Sequence, residues 1–131
     1  MNYKAFMIKV LNGMIGGGER LRFMFYGTVM NDKKKPRFGF FGATKKYFLV
    51  ALMDESQRKI ADSQKIALDI RKAVVKKSLF PGQFTVDLEF ESGEIYNLRV
   101  AKKIMNIDCQ EENIKAFLEF LEKRNKELQQ V

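Results

Sequence analysis

The clearest pattern of apolar and polar positions covers residues 83–121. Apolar residues alternate with polar residues from position 83 to 91, which is the period of a strand with one buried face. Gly93 interrupts the run where a tight turn needs a positive φ, and the alternation resumes over residues 94–100. After Asp108 the apolar residues follow the spacing of a helix, at Ile114, Phe117, Leu118 and Leu121. We therefore predict an antiparallel hairpin that leads into a closing helix.

Three apolar segments nearer the N-terminus are also predicted to be strands. Residues 20–30 (RLRFMFYGTVM) distribute large side chains between two faces. Residues 37–43 (RFGFFGA) place two glycines among aromatics, which favours a strongly bent strand. Residues 47–53 (YFLVALM) form a short continuous apolar run whose length suits a buried strand. The first half of the chain is therefore predicted to be mainly extended.

Residues 58–75 permit two interpretations. As strands, Ile66, Leu68 and Ile70 alternate with polar or small residues, whereas in a helix Ile66, Ile70 and Ala73 would share one face. We favour strands, because branched residues cluster here and the neighbouring segments are extended.

Residues 2–14 are predicted to form an amphipathic helix that ends before the three glycines at positions 16–18. This helix either packs on the edge or mouth of the domain, or lies on a membrane or on a second copy, which would make a homo-oligomer. We divide the chain into residues 1–17, a helix with a glycine-rich joint, and residues 18–131, one β-rich domain.

Asp108 is predicted to cap the start of the closing helix. Its carboxylate can accept a hydrogen bond from the first turn, and Glu111 stands three residues later in the capping-box position. Acidic residues in the first turn and basic residues near the last turn also suit the helix dipole.

Composition is that of a globular chain with an uneven charge. The 131 residues include 46% hydrophobic and 31% charged residues, and the net charge is +8. From Asp108 onward there are 4 basic and 6 acidic residues, so the preceding residues have 20 against 10 and carry +10. A basic body points to an anionic partner: a phospholipid surface, nucleic acid or an acidic protein.

The residue types argue against catalysis and metal binding. The chain has no histidine, one cysteine (Cys109) and no phosphate-binding G-x-x-x-x-G-K-[ST] motif, so we predict no enzyme activity, no metal site and no cofactor. A single cysteine also excludes an internal disulfide and fits a cytoplasmic location. No apolar run approaches the roughly 18 residues that a membrane span needs.

Short motifs along the chain are similar to those of a known superfold. Residues 18–21 (GERL) look like the opening of a first strand, and residues 42–50 (GATKKYFLV) are similar to a strand pair that begins with small, threonine and basic residues. Residues 66–70 (IALDI) and 79–82 (LFPG), with the turn at Gly93, occupy the expected places before the last helix. The chain thus resembles the pleckstrin-homology (PH) superfold, in particular its bacterial PH and GRAM-like members.

This resemblance implies a mainly β fold: a seven-stranded, bent barrel-like sandwich capped by a C-terminal helix, with the N-terminal helix as an addition. It also implies a non-catalytic binding platform for phosphoinositides, other anionic lipids or protein segments. The chain lacks a full phosphoinositide signature, and a fold does not by itself give a function.

A basic loop is the strongest candidate for the binding site. In an antiparallel meander alternate connections share one end of the sheet, so the loop at positions 31–36 should lie near the turn that precedes residue 58. Lysine and arginine together can hold a phosphate, and the resemblance implies that role for a first loop. The predicted anionic-headgroup site is Lys33, Lys34, Lys35, Arg37, Arg58 and Lys59.

Other interpretations of this loop and of the positive charge stay open. The loop could be a solvated segment without a ligand. The domain could instead be a protein-interaction adaptor that uses a sheet edge or the groove beside the closing helix. Nucleic acid is disfavoured because the aromatic residues occupy core-like positions rather than a basic face. We expect a cytoplasmic protein that is peripheral at a membrane.

Overall fold

A computed structural model of the protein describes residues 2–31 and 35–129. Within these residues there are seven strands and two helices. In chain order they are α1 (Tyr3–Gly13), β1 (Phe23–Val29), β2 (Arg37–Ala43), β3 (Tyr47–Met53), β4 (Ile60–Ala67), β5 (Ile70–Lys77), β6 (Gln83–Phe90), β7 (Ile95–Ala101) and α2 (Gln110–Gln129).

The strands form one antiparallel sheet in the order β4-β3-β2-β1-β7-β6-β5. The contact between β1 and β7 is short, with only Thr28 opposite Arg99 and Val29 opposite Leu98. β4 and β5 lie at the two ends of the order, so the sheet in the described part of the chain is bent but not closed. The predicted mainly β fold with a C-terminal helix is confirmed, and strands are confirmed in the region where a helix was the alternative.

One core lies between the inner face of the sheet and α2. Phe117 of α2 lies 4.5 Å from Phe25 and 5.3 Å from Phe23, measured between ring centroids, and all three side chains are buried. Such aromatic contacts stabilise a core beyond the area that they bury. The apolar stripe predicted for the closing helix is thus the surface that fills the open side of the bent sheet.

A second apolar cluster lies on the outer face of β2 and β3. Phe40, Leu49 and Met53 pack there against Met7 and Leu11 of α1, and these five side chains are almost fully buried. Because β2 and β3 are covered on both faces, their sequences are continuous apolar runs rather than alternating ones. Of the alternatives for the N-terminal helix, the structure shows packing on the chain's own sheet.

β1 and β7 are paired only at one end. Where the two strands separate, two amide side chains of α2 form hydrogen bonds to the backbone of β1 in place of β7. Gln110 is fully buried; its Oε1 accepts from the Tyr26 N–H at 3.0 Å and its Nε2 donates to the Tyr26 carbonyl at 2.8 Å. Asn113 Oδ1 accepts from the Met24 N–H at 2.9 Å. Backbone groups that would otherwise be buried without partners are satisfied in this way.

The predicted cap of the closing helix, Asp108, is wrong by one residue, because Cys109 occupies the cap position. α2 begins at Gln110, and the Cys109 carbonyl accepts the first helical hydrogen bond from the Asn113 N–H at 3.2 Å. Asp108 instead forms an ion pair of 2.6 Å with Lys4 of α1. The hydrogen bond within this ion pair lowers the pKa of Asp108 and raises the pKa of Lys4. The carboxylate therefore joins the two helices.

Candidate functional site

Three connections meet at one end of the sheet, which we call the mouth: the described residues 30–31 and 35–36 between β1 and β2, residues 54–59 between β3 and β4, and residues 91–94 between β6 and β7. Lys35 forms an ion pair with Glu55, so the first two connections are in contact. Asn31 Nδ2 donates to the Ile95 carbonyl at 2.7 Å, which brings the start of β7 to the same place.

The predicted cations have different surroundings at the mouth. Lys33 and Lys34 lie outside the described residues. Lys35 pairs with Glu55, and Arg37 donates to Asp62 Oδ2 at 2.6 Å, so each of these cations has its charge offset by a carboxylate. These two ion pairs were not anticipated from the sequence, because they depend on how β2, β3, β4 and their connections are arranged in the folded sheet.

Arg58 and Lys59 are exposed in the turn between β3 and β4. Among residues 2–31 and 35–129, neither has a carboxylate within ion-pair distance. Among the described residues of the predicted site, these two cations are therefore the most open to an anionic ligand.

The turn that carries these cations is held by several hydrogen bonds. The Ser56 hydroxyl donates to Asp54 Oδ1 at 2.6 Å, and this bond, together with backbone N–H groups of the turn, lowers the pKa of Asp54. Gln57 has a φ of 58°, and its carbonyl accepts from the Tyr3 hydroxyl at 3.0 Å. The N-terminal helix thus fixes the turn, a role that the sequence pattern did not suggest.

A cavity of about 520 Å³ opens at the mouth on the inner side of the sheet. Its lining combines apolar residues of β1 and β3 with polar residues: Val29, Asn31, Lys35, Arg37, Val50, Leu52, Asp62, Ser63, Gln64, Glu94, Ile95 and Tyr96. The charges of Lys35 and Arg37 are balanced there by Asp62 and Glu94, so the described lining favours a polar ligand with both donors and acceptors over a bare anion.

Tyr96 crosses the mouth from β7 and donates a hydrogen bond to Gln64 of β4. Burial, reinforced by the negative charge of Glu94, raises the pKa of Tyr96 to about 12. The phenol is therefore a hydrogen-bond donor at neutral pH. This contact links the edge strand β4 to the second half of the sheet where no backbone pairing joins them.

A second cavity, of about 510 Å³, lies beside the turn between β3 and β4. Lys35 and Arg37 line this cavity as well, together with Phe38, Met53 and Gln57. The two cations thus stand between two openings, and either opening would bring a ligand to them. No three histidine, cysteine or acidic side chains lie close enough in the described residues to hold a metal ion.

Comparisons with known proteins support the fold and leave the family open. No protein-family model and no curated protein matches the chain. The hSac2 domain of the human phosphoinositide phosphatase Sac2 superposes with a TM-score of 0.59 at 13% identity, over 92% of this chain and 81% of that one. The C-terminal domain of a protein from Leishmania infantum superposes with a TM-score of 0.58, also at 13% identity, over 92% of this chain and 97% of that one.

Both neighbours fit a PH-like fold, in which a seven-stranded antiparallel sheet is followed by a C-terminal helix. At this identity they show the fold alone. No helix in residues 2–31 and 35–129 is both long and apolar enough to cross a membrane.

Proposed function

We propose that this chain is a non-catalytic PH-like module of the bacterial PH or GRAM-like kind, which binds anionic phospholipid headgroups at the cytoplasmic surface of a membrane. The proposed contacts are Lys33, Lys34, Lys35, Arg37, Arg58 and Lys59. The observation that carries the proposal is the contact between Lys35 and Glu55, because it brings the basic loop and the basic turn to one end of the sheet. The fold it shares with a domain of a phosphoinositide phosphatase supports a lipid-related role.

Because two cations at the mouth already form ion pairs with carboxylates, we expect the mouth to bind a charged surface rather than to hold one headgroup tightly in a pocket. A phosphate that approaches Arg37 or Lys35 competes with Asp62 or Glu55 for the same donors. Exposed Arg58 and Lys59 face no such competition from the carboxylates that the structure describes. An anionic bilayer presents many charges at once, so we expect weak individual contacts that add up and that salt screens.

Vesicle sedimentation with charge variants tests this site. The mouth variant Lys33→Gln/Lys34→Gln/Arg58→Gln/Lys59→Gln leaves both ion pairs intact, and the matched control Lys45→Gln/Lys46→Gln/Lys115→Gln/Lys123→Gln removes the same charge from other exposed positions. We expect the mouth variant to bind anionic vesicles at least about fivefold more weakly than the control. Equal binding by the two variants would remove the mouth as the lipid site.

The edge strand β4 favours a second candidate function, an adaptor that binds a protein segment. β4 ends the strand order, and residues 61–65 are exposed, so its outer edge can accept a further strand. Peptide capture that is insensitive to salt, together with no binding to anionic vesicles, would favour the adaptor over the lipid module.

A further inference from the structure

The connection between β5 and β6 carries two of the most exposed large apolar side chains in the described residues. Leu79 is 99% exposed and Phe80 is 68% exposed, and they are neighbours at the end of a hairpin. Single exposed apolar residues are common on proteins, but an adjacent pair at a protruding turn is a feature of interaction sites. We call Leu79 and Phe80 the tip.

Hydrogen bonds hold the tip in a defined shape. The Ser78 N–H donates to the Gln83 carbonyl at 2.9 Å, the Gln83 N–H donates to the Phe80 carbonyl at 3.3 Å, and Gly82 supplies the positive φ of 76° that the turn requires. The tip is therefore ordered before any ligand binds, so little conformational entropy is lost on binding.

Lysines surround the tip. Lys76 and Lys77 end β5, and Lys102 and Lys103 follow β7. The Lys102 N–H donates to the Gly82 carbonyl at 2.7 Å, which joins the second pair of lysines to the tip. All four side chains are exposed, and only Lys103 has an acidic neighbour in the described residues, Glu111 at 3.9 Å. In the sequence the nearest acidic residues are Asp69, Asp87 and Asp108.

We propose that the tip inserts into the interfacial layer of an anionic bilayer while these four lysines contact the lipid phosphates. An anionic bilayer has negatively charged phosphates at its surface and apolar acyl chains beneath them. Exposed apolar side chains with lysines beside them can contact both layers at once. This inference rests on the proposed function for its ligand class, and it names a second contact that the loop at residues 31–36 does not include.

The chemistry of the tip favours a bilayer over a protein partner. A stable protein interface buries about 800 Å² on each side and disfavours lysine at its centre, whereas two adjacent side chains at a protruding turn offer far less apolar area. A bilayer accepts single apolar side chains, and lysine stems can lie along it with their ammonium groups at the phosphates.

The tip and the mouth lie at opposite ends of β6. β6 has 8 residues, and a strand of that length spans roughly 25 Å at the usual rise per residue. Because the two ends are this far apart, probes placed at them report on the tip and on the mouth separately.

Tryptophan fluorescence tests the insertion directly, because the chain contains no tryptophan. Phe80→Trp places one at the tip, and Ile95→Trp places one beside the mouth at a residue that is 47% exposed. With vesicles of phosphatidylcholine and phosphatidylserine that carry brominated acyl chains, we expect a blue shift and strong quenching for Phe80→Trp. Vesicles of phosphatidylcholine alone should give neither.

Binding variants complete the test. Leu79→Ser/Phe80→Ser should reduce binding to the same anionic vesicles about tenfold or more, because it removes two apolar side chains from the membrane. Val75→Ser, at an exposed apolar residue of β5 outside the tip and the mouth, is the matched apolar-to-polar control and should bind like the unmodified protein. Circular dichroism should be unchanged in both, since the replaced side chains are exposed.

The outcomes separate the tip from the mouth. If Phe80→Trp stays unquenched on vesicles that bind the protein, the tip proposal is overturned while the proposed function stands. If the mouth variant made in the Leu79→Ser/Phe80→Ser background binds no more weakly than that background, the mouth fails while the tip stands. Protein capture that needs Leu79 and Phe80, with no bromolipid quenching, would replace the bilayer with a protein partner.

Discussion

The Tyr3 hydroxyl donates a hydrogen bond to the Gln57 carbonyl at 3.0 Å. This contact joins the first turn of α1 to the turn that carries Arg58 and Lys59, across 54 positions of sequence. Gln57 has a φ of 58°, a conformation that a residue with a side chain seldom adopts. The N-terminal helix therefore stabilises the shape of one part of the proposed lipid site.

Replacing Tyr3 should loosen that turn. In Tyr3→Phe we expect faster amide hydrogen exchange in residues 54–59 and a loss of about 1 kcal/mol in the free energy of unfolding, the usual net value of one hydrogen bond. The matched control is Tyr47→Phe, whose hydroxyl makes no hydrogen bond to the described residues. Exchange in the turn that is equal in both variants would show that α1 does not hold it.

Gln110 should be important for stability although it is a polar residue. Gln110→Ala leaves the Tyr26 N–H and carbonyl buried without their partner, so the free energy of unfolding should fall by about 1–3 kcal/mol. Urea unfolding measures this change. Glu119→Ala, at an exposed position in the middle of α2 with no ion pair to the described residues, should stay within about 0.5 kcal/mol of the unmodified protein. A similar small change for Gln110→Ala would contradict the role of this amide.

Gly39 allows β2 and β3 to approach closely. A Cβ at this position would lie 2.6 Å from the Ala51 carbonyl oxygen, which is backbone and cannot move aside cheaply. Gly39→Ala should therefore lower the free energy of unfolding by about 1–3 kcal/mol, as overpacking does. Gly17→Ala meets no atom within 4 Å and is the control. Thermal unfolding in which both variants behave alike would refute this packing.

Tyr96 should make the protein less stable at high pH. Its pKa is raised to about 12 in the folded chain, whereas a phenol in the unfolded chain titrates near about 10. Between these values the unfolded chain loses the proton and the folded chain keeps it, so the free energy of unfolding falls as the pH rises through this window. The contribution from this residue is roughly 2–3 kcal/mol.

Comparison with Tyr96→Phe isolates that contribution, because lysines that titrate in the same range are common to both proteins. Urea unfolding at about pH 9 and about pH 11.5 should show a steeper loss for the unmodified protein than for Tyr96→Phe. Equal losses would mean that the Tyr96 hydroxyl has an ordinary pKa in the folded chain.

Much of the fold could be predicted because the spacing of apolar residues in these segments matches the faces that the fold buries. Alternation in residues 83–91 predicted β6, and the helical spacing after Asp108 predicted α2. The continuous run at residues 47–53 correctly indicated a buried strand, since α1 covers its outer face. The division of the chain at residue 17 stays a prediction, although α1 buries Met7 against the sheet.

The rest depends on contacts between residues that are far apart in sequence. Asp108 is a residue type that commonly caps helices, but its carboxylate forms an ion pair with Lys4 instead. Gln110 looks like an ordinary surface residue of a helix, and only the separation of β1 from β7 gives it a buried role. Leu79 and Phe80 belong to the motif LFPG before β6, and only the fold shows that their side chains are exposed.

The most direct test of the account is equilibrium binding of the unmodified protein to vesicles of increasing phosphatidylserine content. We predict binding that rises with the anionic fraction, weakens as salt is added and is absent on phosphatidylcholine alone, because exposed cations and an apolar tip act together at the surface. No binding to anionic vesicles at low salt, or equal binding to neutral vesicles, would contradict the central claim.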